Sequence, residues 1–166
     1  MRKTILAGVC FIFIGMGVAQ AADKPIITGQ APEGQKVQEI VDMVQTVILK
    51  AMAGDKDIVA KYFAPNAELM FVGRKLKAAD EIGKFNSTRY NWVKKSIDHW
   101  DVSLGENKRM VVTSAGTLYG EWPDGTKFEG NRFIDRFVLV DGKITHMDVW
   151  NDSAEILLKR AGLVKN

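Results

Sequence analysis

The side chains here that could do chemistry beyond packing gather in two places. Asp98, His99, Trp100 and Asp101 stand in direct succession. An imidazole, with a reference pKa of about 6.5, suits general-base work near neutral pH. Read as a strand, the run puts His99 and Asp101 on one face and Asp98, Trp100 and Val102 on the other. An edge histidine beside a carboxylate is the plainer reading of the same pattern. The second place is Asp135, which alternates with Phe133, Phe137 and Leu139. Burying an unpaired carboxylate is expensive, so Asp135 either has a strong partner inside a pocket or sits wet at a strand end or bulge.

Other candidates are weaker. Tyr62 and Phe63 are core aromatics or one wall of a cavity, where the Tyr62 hydroxyl would orient a ligand. Lys94-Lys95 reads as a solvated face rather than an anion site, because no glycine nest or aromatic platform adjoins it. His99 and His146 are the only histidines and have no metal-ligand spacing, so neither a metal nor a cofactor is expected. The lysines are scattered, which argues against nucleic acid as a partner.

These groups need elements to position them. Val37, Ile40, Val41, Val44, Val47, Ile48 and Met52 recur at three- and four-residue intervals and predict a helix from about Gln35. Gly54-Asp55 stops it, and Asp57 is placed to cap a shorter helix through Tyr62 and Phe63 that Pro65-Asn66 ends. Ala67 to Val72 reads as a strand and Leu76 as the start of another. Asp80 caps a helix predicted from Glu81 through Trp92, with Ser87-Thr88 as a point of early ending. Ile97 to Leu104 and Lys108 to Tyr119 read as strands, with Gly116 as a site for a bend or bulge. Trp122-Pro123-Asp124-Gly125 is a turn, and Trp122 is a pocket-rim aromatic or a hydrophobic cover. Phe128 to Val140 and Lys143 to Trp150 flank Asp141-Gly142, a strong hairpin signal because both positions tolerate positive φ. A last helix after Asn151, carrying Ile156, Leu157, Leu158 and Leu163, should close one end of the sheet.

The beginning of the chain reads differently. Arg2 and Lys3 precede an apolar run from Ile5 to Val18, and Ala19-Gln20-Ala21 follows. That is the pattern of a secretory signal over 1–22, too short for the ~20 residues of a spanning helix. Residues 23–34, rich in Pro and Gly, read as an extended or poorly ordered flexible leader, and 35–166 as a single domain. Cys10, the only cysteine, lies in the signal, so the exported domain has to be stable through packing alone. Cleavage removes two of the three net positive charges, so the basic pI says little about partners. A periplasmic or secreted location follows, with no stable membrane insertion.

The run Asn131-Arg132-Phe133-Ile134-Asp135-Arg136-Phe137-Val138-Leu139, with Asp141-Gly142-Lys143-Ile144 and Trp150-Asn151-Asp152, resembles the ending of SnoaL-like members of the nuclear transport factor 2 (NTF2-like) superfamily. That resemblance implies an α+β cone: a strongly curved mixed or antiparallel sheet around three to four helices, enclosing an apolar cavity. It also implies a homodimer through the outer sheet face. Several enzymatic relatives place an Asp or Glu seven residues beyond the hairpin glycine; counted from Gly142, this chain has Val149, which cannot move a proton. Phenazine-type relatives have a histidine where Asp135 stands. Asp148 is one residue from the missing carboxylate, and a one-residue slip reverses strand face unless a bulge intervenes.

Three functional expectations result. The first is a small hydrophobic or aromatic molecule held in the cavity by Tyr62, Phe63, Trp92, Trp100, Tyr119, Phe133, Phe137, Asp148 and Val149, oriented by Asp135, Tyr62 or His99. The second is an isomerase, cyclase or hydrolase with Asp135 or His99 as acid/base. The third is a periplasmic protein-interaction domain using an exposed sheet.

Overall fold

The computed structural model describes residues 24–164; the predicted signal over 1–22, with Cys10, lies outside them. The stretch read as an extended or poorly ordered leader contains a strand, β1 (Ile26–Gly29), whose residues are mostly exposed. Helix α1 (Val37–Met52) follows the predicted periodicity and buries Ile40, Val41, Val44, Val47, Ile48 and Ala51. Helix α2 (Lys56–Tyr62) is capped by Asp55 rather than Asp57: the Asp55 carboxylate accepts from the Ile58 amide at 3.0 Å, because the helix starts two residues earlier than a cap at Asp57 would allow.

Strand β2 (Phe63–Phe71) begins at once and passes through Pro65. The proline is tolerated because pairing is interrupted between Phe63 and Glu68. Strand β3 (Arg74–Leu76) forms a tight hairpin with β2. Helix α3 (Glu81–Ser87) is shorter than predicted. The Ser87 and Thr88 hydroxyls donate back to the carbonyls of Lys84 and Phe85 at 3.1 and 3.0 Å, satisfying the last turn and releasing the chain. Trp92, expected on that helix, therefore opens strand β4 (Trp92–Leu104).

Strands β5 (Arg109–Glu121), β6 (Lys127–Val140) and β7 (Lys143–Asn151) build the long hairpins. Asp141 and Gly142 turn the last with φ of 48° and 75°, both positive as a two-residue hairpin requires. Helix α4 (Ser153–Arg160) buries only Ser153, and its Leu157 and Leu158 stay exposed. It caps the sheet less than the leucines suggested. Among the described residues no helix is long and apolar enough to cross a membrane.

The fold is α+β with a seven-stranded mixed sheet in the order β1-β4-β5-β6-β7-β2-β3. Pairs β1·β4 and β2·β7 are parallel, and the rest are antiparallel. The expected strongly curved cone is corrected by this order. It is linear and ends on two edges that do not meet, β1 and β3, so the sheet is open rather than closed or strongly curled. Edge strands of four and three residues are too short to carry the ladder round. One face is covered: Trp100, Val102, Val112, Phe137, Leu139 and Met147 from the sheet share a core with α1, Ile82 and Phe85.

Candidate functional site

A bulge decides which side chains reach that covered face. In the β4·β5 ladder Ile97 faces Gly116 and His99 faces Ala115, leaving Asp98 as the extra residue. Before the bulge the half-buried positions are Val93, Lys95 and Ile97; after it the buried ones are Trp100 and Val102. Strict alternation would put Lys95 and Trp100 on opposite faces. The extra residue lets both point inward. Gly116 makes room: a Cβ there would lie 2.0 Å from the Ser96 carbonyl oxygen and 2.9 Å from Ile97 Cα.

Lys95 thus leaves the solvated face where the sequence placed it, while Lys94 remains exposed. Its partner is Asp135 on β6, two strands away, about 10 Å at ordinary strand spacing. The four-carbon stem of Lys95 reaches across β5, and its ammonium donates to Asp135 Oδ2. The lysine side chain is 10% exposed and the aspartate 1%. Lys95 Nζ also lies 4.1 Å from the centroid of the Phe133 ring, a cation–π contact that partly replaces lost hydration. The other carboxylate oxygen, Asp135 Oδ1, is buried and has no hydrogen-bond partner within the protein. Burial pushes the Asp135 carboxyl above the usual carboxylate range, against the opposing pull of the Lys95 charge and hydrogen bond.

The pair borders a cavity of about 50 Å³ walled mainly by apolar and aromatic side chains, including Phe71, Phe85, Leu118, Phe133, Met147 and Val149. Asn86, Tyr90 and Asn151 add polar atoms to its lining. Val149 stands directly across the ladder from Asp135, so the position where the resemblance looks for a second carboxylate presents a methyl-lined wall. Larger grooves lie at the surface, such as one of about 380 Å³ between Trp122, Arg89 and α4; Lys95 and Asp135 line none of them.

Of the residues expected at a site, Phe133, Asp135 and Val149 meet at this cavity. Phe63, Trp100 and Phe137 are buried core residues, and Tyr62 packs against that core half-buried. Trp92 and Tyr119 are exposed and meet edge-to-face at 6.3 Å. His99 is exposed. Asp148 faces away from the cavity and accepts from Arg136 at 2.8 Å, so no bulge turns it inward. Trp122 is buried, stacks on Tyr90 at 5.2 Å and also lines the surface groove beside α4. Among the described residues no group of three or more His, Cys, Asp or Glu side chains could hold a metal ion. Lys95 is the residue the sequence reading missed. Its signal was the alternation Val93, Lys95, Ile97, hidden by extending the preceding helix through Trp92.

The geometry can be set beside known structures. The chain aligns with a candidate polyketide cyclase from Bacillus cereus at 18% identity and a TM-score of 0.60, covering 86% of this chain and 94% of that one. A candidate SnoaL-like polyketide cyclase from Jannaschia aligns at 17% identity and 0.57, covering 78% and 96%. An NTF2-like protein of unknown function from Burkholderia pseudomallei aligns at 16% and 0.54, covering 70% and 93%. No family model and no curated protein matches the sequence. At such identities the likeness carries the fold and leaves the site to be argued from this chain's own residues.

Proposed function

We propose, from the fold shared with NTF2-like and SnoaL-like structures, that this protein binds a small, mainly apolar molecule bearing one hydrogen-bond donor. The observation that carries this reading is the buried, unpartnered Asp135 Oδ1 beside an apolar cavity. A buried acceptor without a partner costs about 1–3 kcal/mol, and a guest's hydroxyl or amide N–H would recover it. The cavity sets the size. About 50 Å³ exceeds the ~10–15 Å³ a water needs but falls well short of the ~150 Å³ that admits benzene. The fit is a guest of a few non-hydrogen atoms, with aromatic guests requiring the wall at Phe85 and Tyr90 to move outward.

Methyl NMR tests this. Titration with propan-1-ol should shift Met147, Val149 and Leu118 together, with phenol shifting them less. Val149→Phe, which fills the cavity, should abolish the response. Shifts scattered over the surface, or none at the cavity, would refute the reading.

Proton-transfer catalysis of the cyclase or isomerase type is a second reading, favoured by the same free oxygen on a carboxyl whose proton affinity burial has raised. Asp135 Oδ1 would take a proton from a bound carbon acid and return it elsewhere on the molecule, without a second carboxylate at Val149. On a substrate found by screening, Asp135→Asn should lower kcat by about 10²–10⁴-fold while leaving guest affinity within an order of magnitude; unchanged turnover would remove Asp135 from that role.

Homodimerisation and export belong to the same proposal. Ile134 and Trp150, directly paired across β6 and β7, are 50% and 55% exposed on the outer sheet face, which is the kind of apolar surface a second copy would cover.

A further inference from the structure

We propose that Lys95 captures small carbonyl compounds covalently, as an imine formed inside the cavity. This deepens the guest-binding reading and rests on it. The chain sets Lys95 apart from its other lysines: every other described lysine is exposed, and Lys95 alone is held among apolar side chains. Lysine amines become nucleophiles towards carbonyl groups when they are desolvated and can pass their proton to a neighbour. Here the neighbour is in place, because Asp135 Oδ2 already accepts a hydrogen bond from Lys95 Nζ.

The chemistry closes without any further reagent. The Lys95 ammonium gives a proton to Asp135, and the freed nitrogen lone pair adds to the carbonyl carbon. A C–N bond forms as the carbonyl π electrons move to oxygen. Asp135 protonates that oxygen and accepts a proton from the nitrogen, giving the carbinolamine. A further protonation at oxygen lets the C–O bond break; one water leaves, and an iminium carrying one N–H remains. One positive charge enters with the ammonium and one remains on the iminium. The buried ion pair with Asp135 and the contact with the Phe133 ring therefore survive the reaction, and no buried charge is left stranded. Loss of water is favoured where apolar walls exclude solvent. Asp135 Oδ1, unpartnered in the protein, is placed to accept from a hydroxyl next to the carbonyl, so hydroxyaldehydes and hydroxyketones of three or four carbons suit the space best.

The test uses the full chain with limiting acetaldehyde and sodium cyanoborohydride, which reduces the imine to a stable ethyl-lysine, followed by peptide mass mapping. Lys95 should be alkylated roughly 10-fold faster than exposed Lys50, Lys94 or Lys127, and Asp135→Asn should slow Lys95 without changing the others. Alkylation of Lys95 in the folded wild-type chain at or below the rate of the exposed lysines overturns the proposal, and this readout needs no variant to fold. If propan-1-ol still shifts the cavity methyls while Lys95 stays unlabelled, covalent capture fails and guest binding stands. If neither occurs, both fail.

Discussion

Lys95→Met should destabilise the protein by about 3–5 kcal/mol at pH 7, because it strands the Asp135 carboxylate in the core. Lys95 supplies the only two influences that hold the Asp135 pKa down against burial. Without them the folded-state pKa rises further above its unfolded value. A carboxyl whose pKa is raised on folding contributes stability that is fully present below the unfolded pKa and lost as pH rises through the folded one. The deficit of Lys95→Met should therefore be largest at neutral pH and above, and should shrink as pH falls towards the ordinary aspartate range. Denaturant unfolding at a series of pH values reads this directly. The double variant Lys95→Met with Asp135→Leu removes both charges and keeps the volume filled, so it should recover to within about 1 kcal/mol of the parent or exceed it. A pH-independent loss in the single variant, or no recovery in the double, would mean that the pair is not buried as described.

Gly116→Ala should cost towards the top of the ~1–3 kcal/mol expected for forced overpacking. The added Cβ meets backbone, the Ser96 carbonyl at 2.0 Å and Ile97 Cα at 2.9 Å, and backbone cannot rotate aside as a side-chain tip can. The strain falls on the bulge that turns Lys95 inward, so the variant should also lose the preferential reactivity of Lys95 and the cavity response to propan-1-ol. Gly105→Ala is the control. Its Cβ would find nothing closer than 3.5 Å, and it should change stability by less than about 0.5 kcal/mol, as remote surface substitutions do. If the two variants lost equal stability, the close approach at Gly116 would not be what shapes the site.

How much of this was legible beforehand depends on how local the signal was. The Asp141-Gly142 turn and the alternation through Phe133, Asp135, Phe137 and Leu139 are properties of short stretches, and the structure shows that turn and that buried face. The periodicity of α1 is local too. Lys95 was not legible because its placement needs a local helix ending and a cross-strand contact together. Back-bonding by Ser87 and Thr88 ends α3 early, which frees Trp92 onwards for β4. The bulge at Asp98 then depends on Gly116 of the neighbouring strand. Period-two reasoning placed His99 and Trp100 on opposite faces but could not say that Lys95 shares the face of Trp100. The strongly curved cone was an inference from resemblance, and the two short edge strands, β1 and β3, which do not pair with each other, overturned it, since edge length follows from pairing rather than from any motif. Asp148 and Val149 show the limit of counting from Gly142: the count locates the position facing Asp135, while the chemistry there is apolar.

The buried Lys95–Asp135 pair is most directly tested by the pH titration of the Asp135 carboxyl carbon, followed by NMR with ¹³C-labelled aspartate, with and without propan-1-ol. The account predicts that Asp135 titrates above the range of the exposed aspartates and that its resonance moves when the alcohol is added, as Oδ1 gains a donor. An Asp135 that titrates with the exposed aspartates and ignores the alcohol would contradict it.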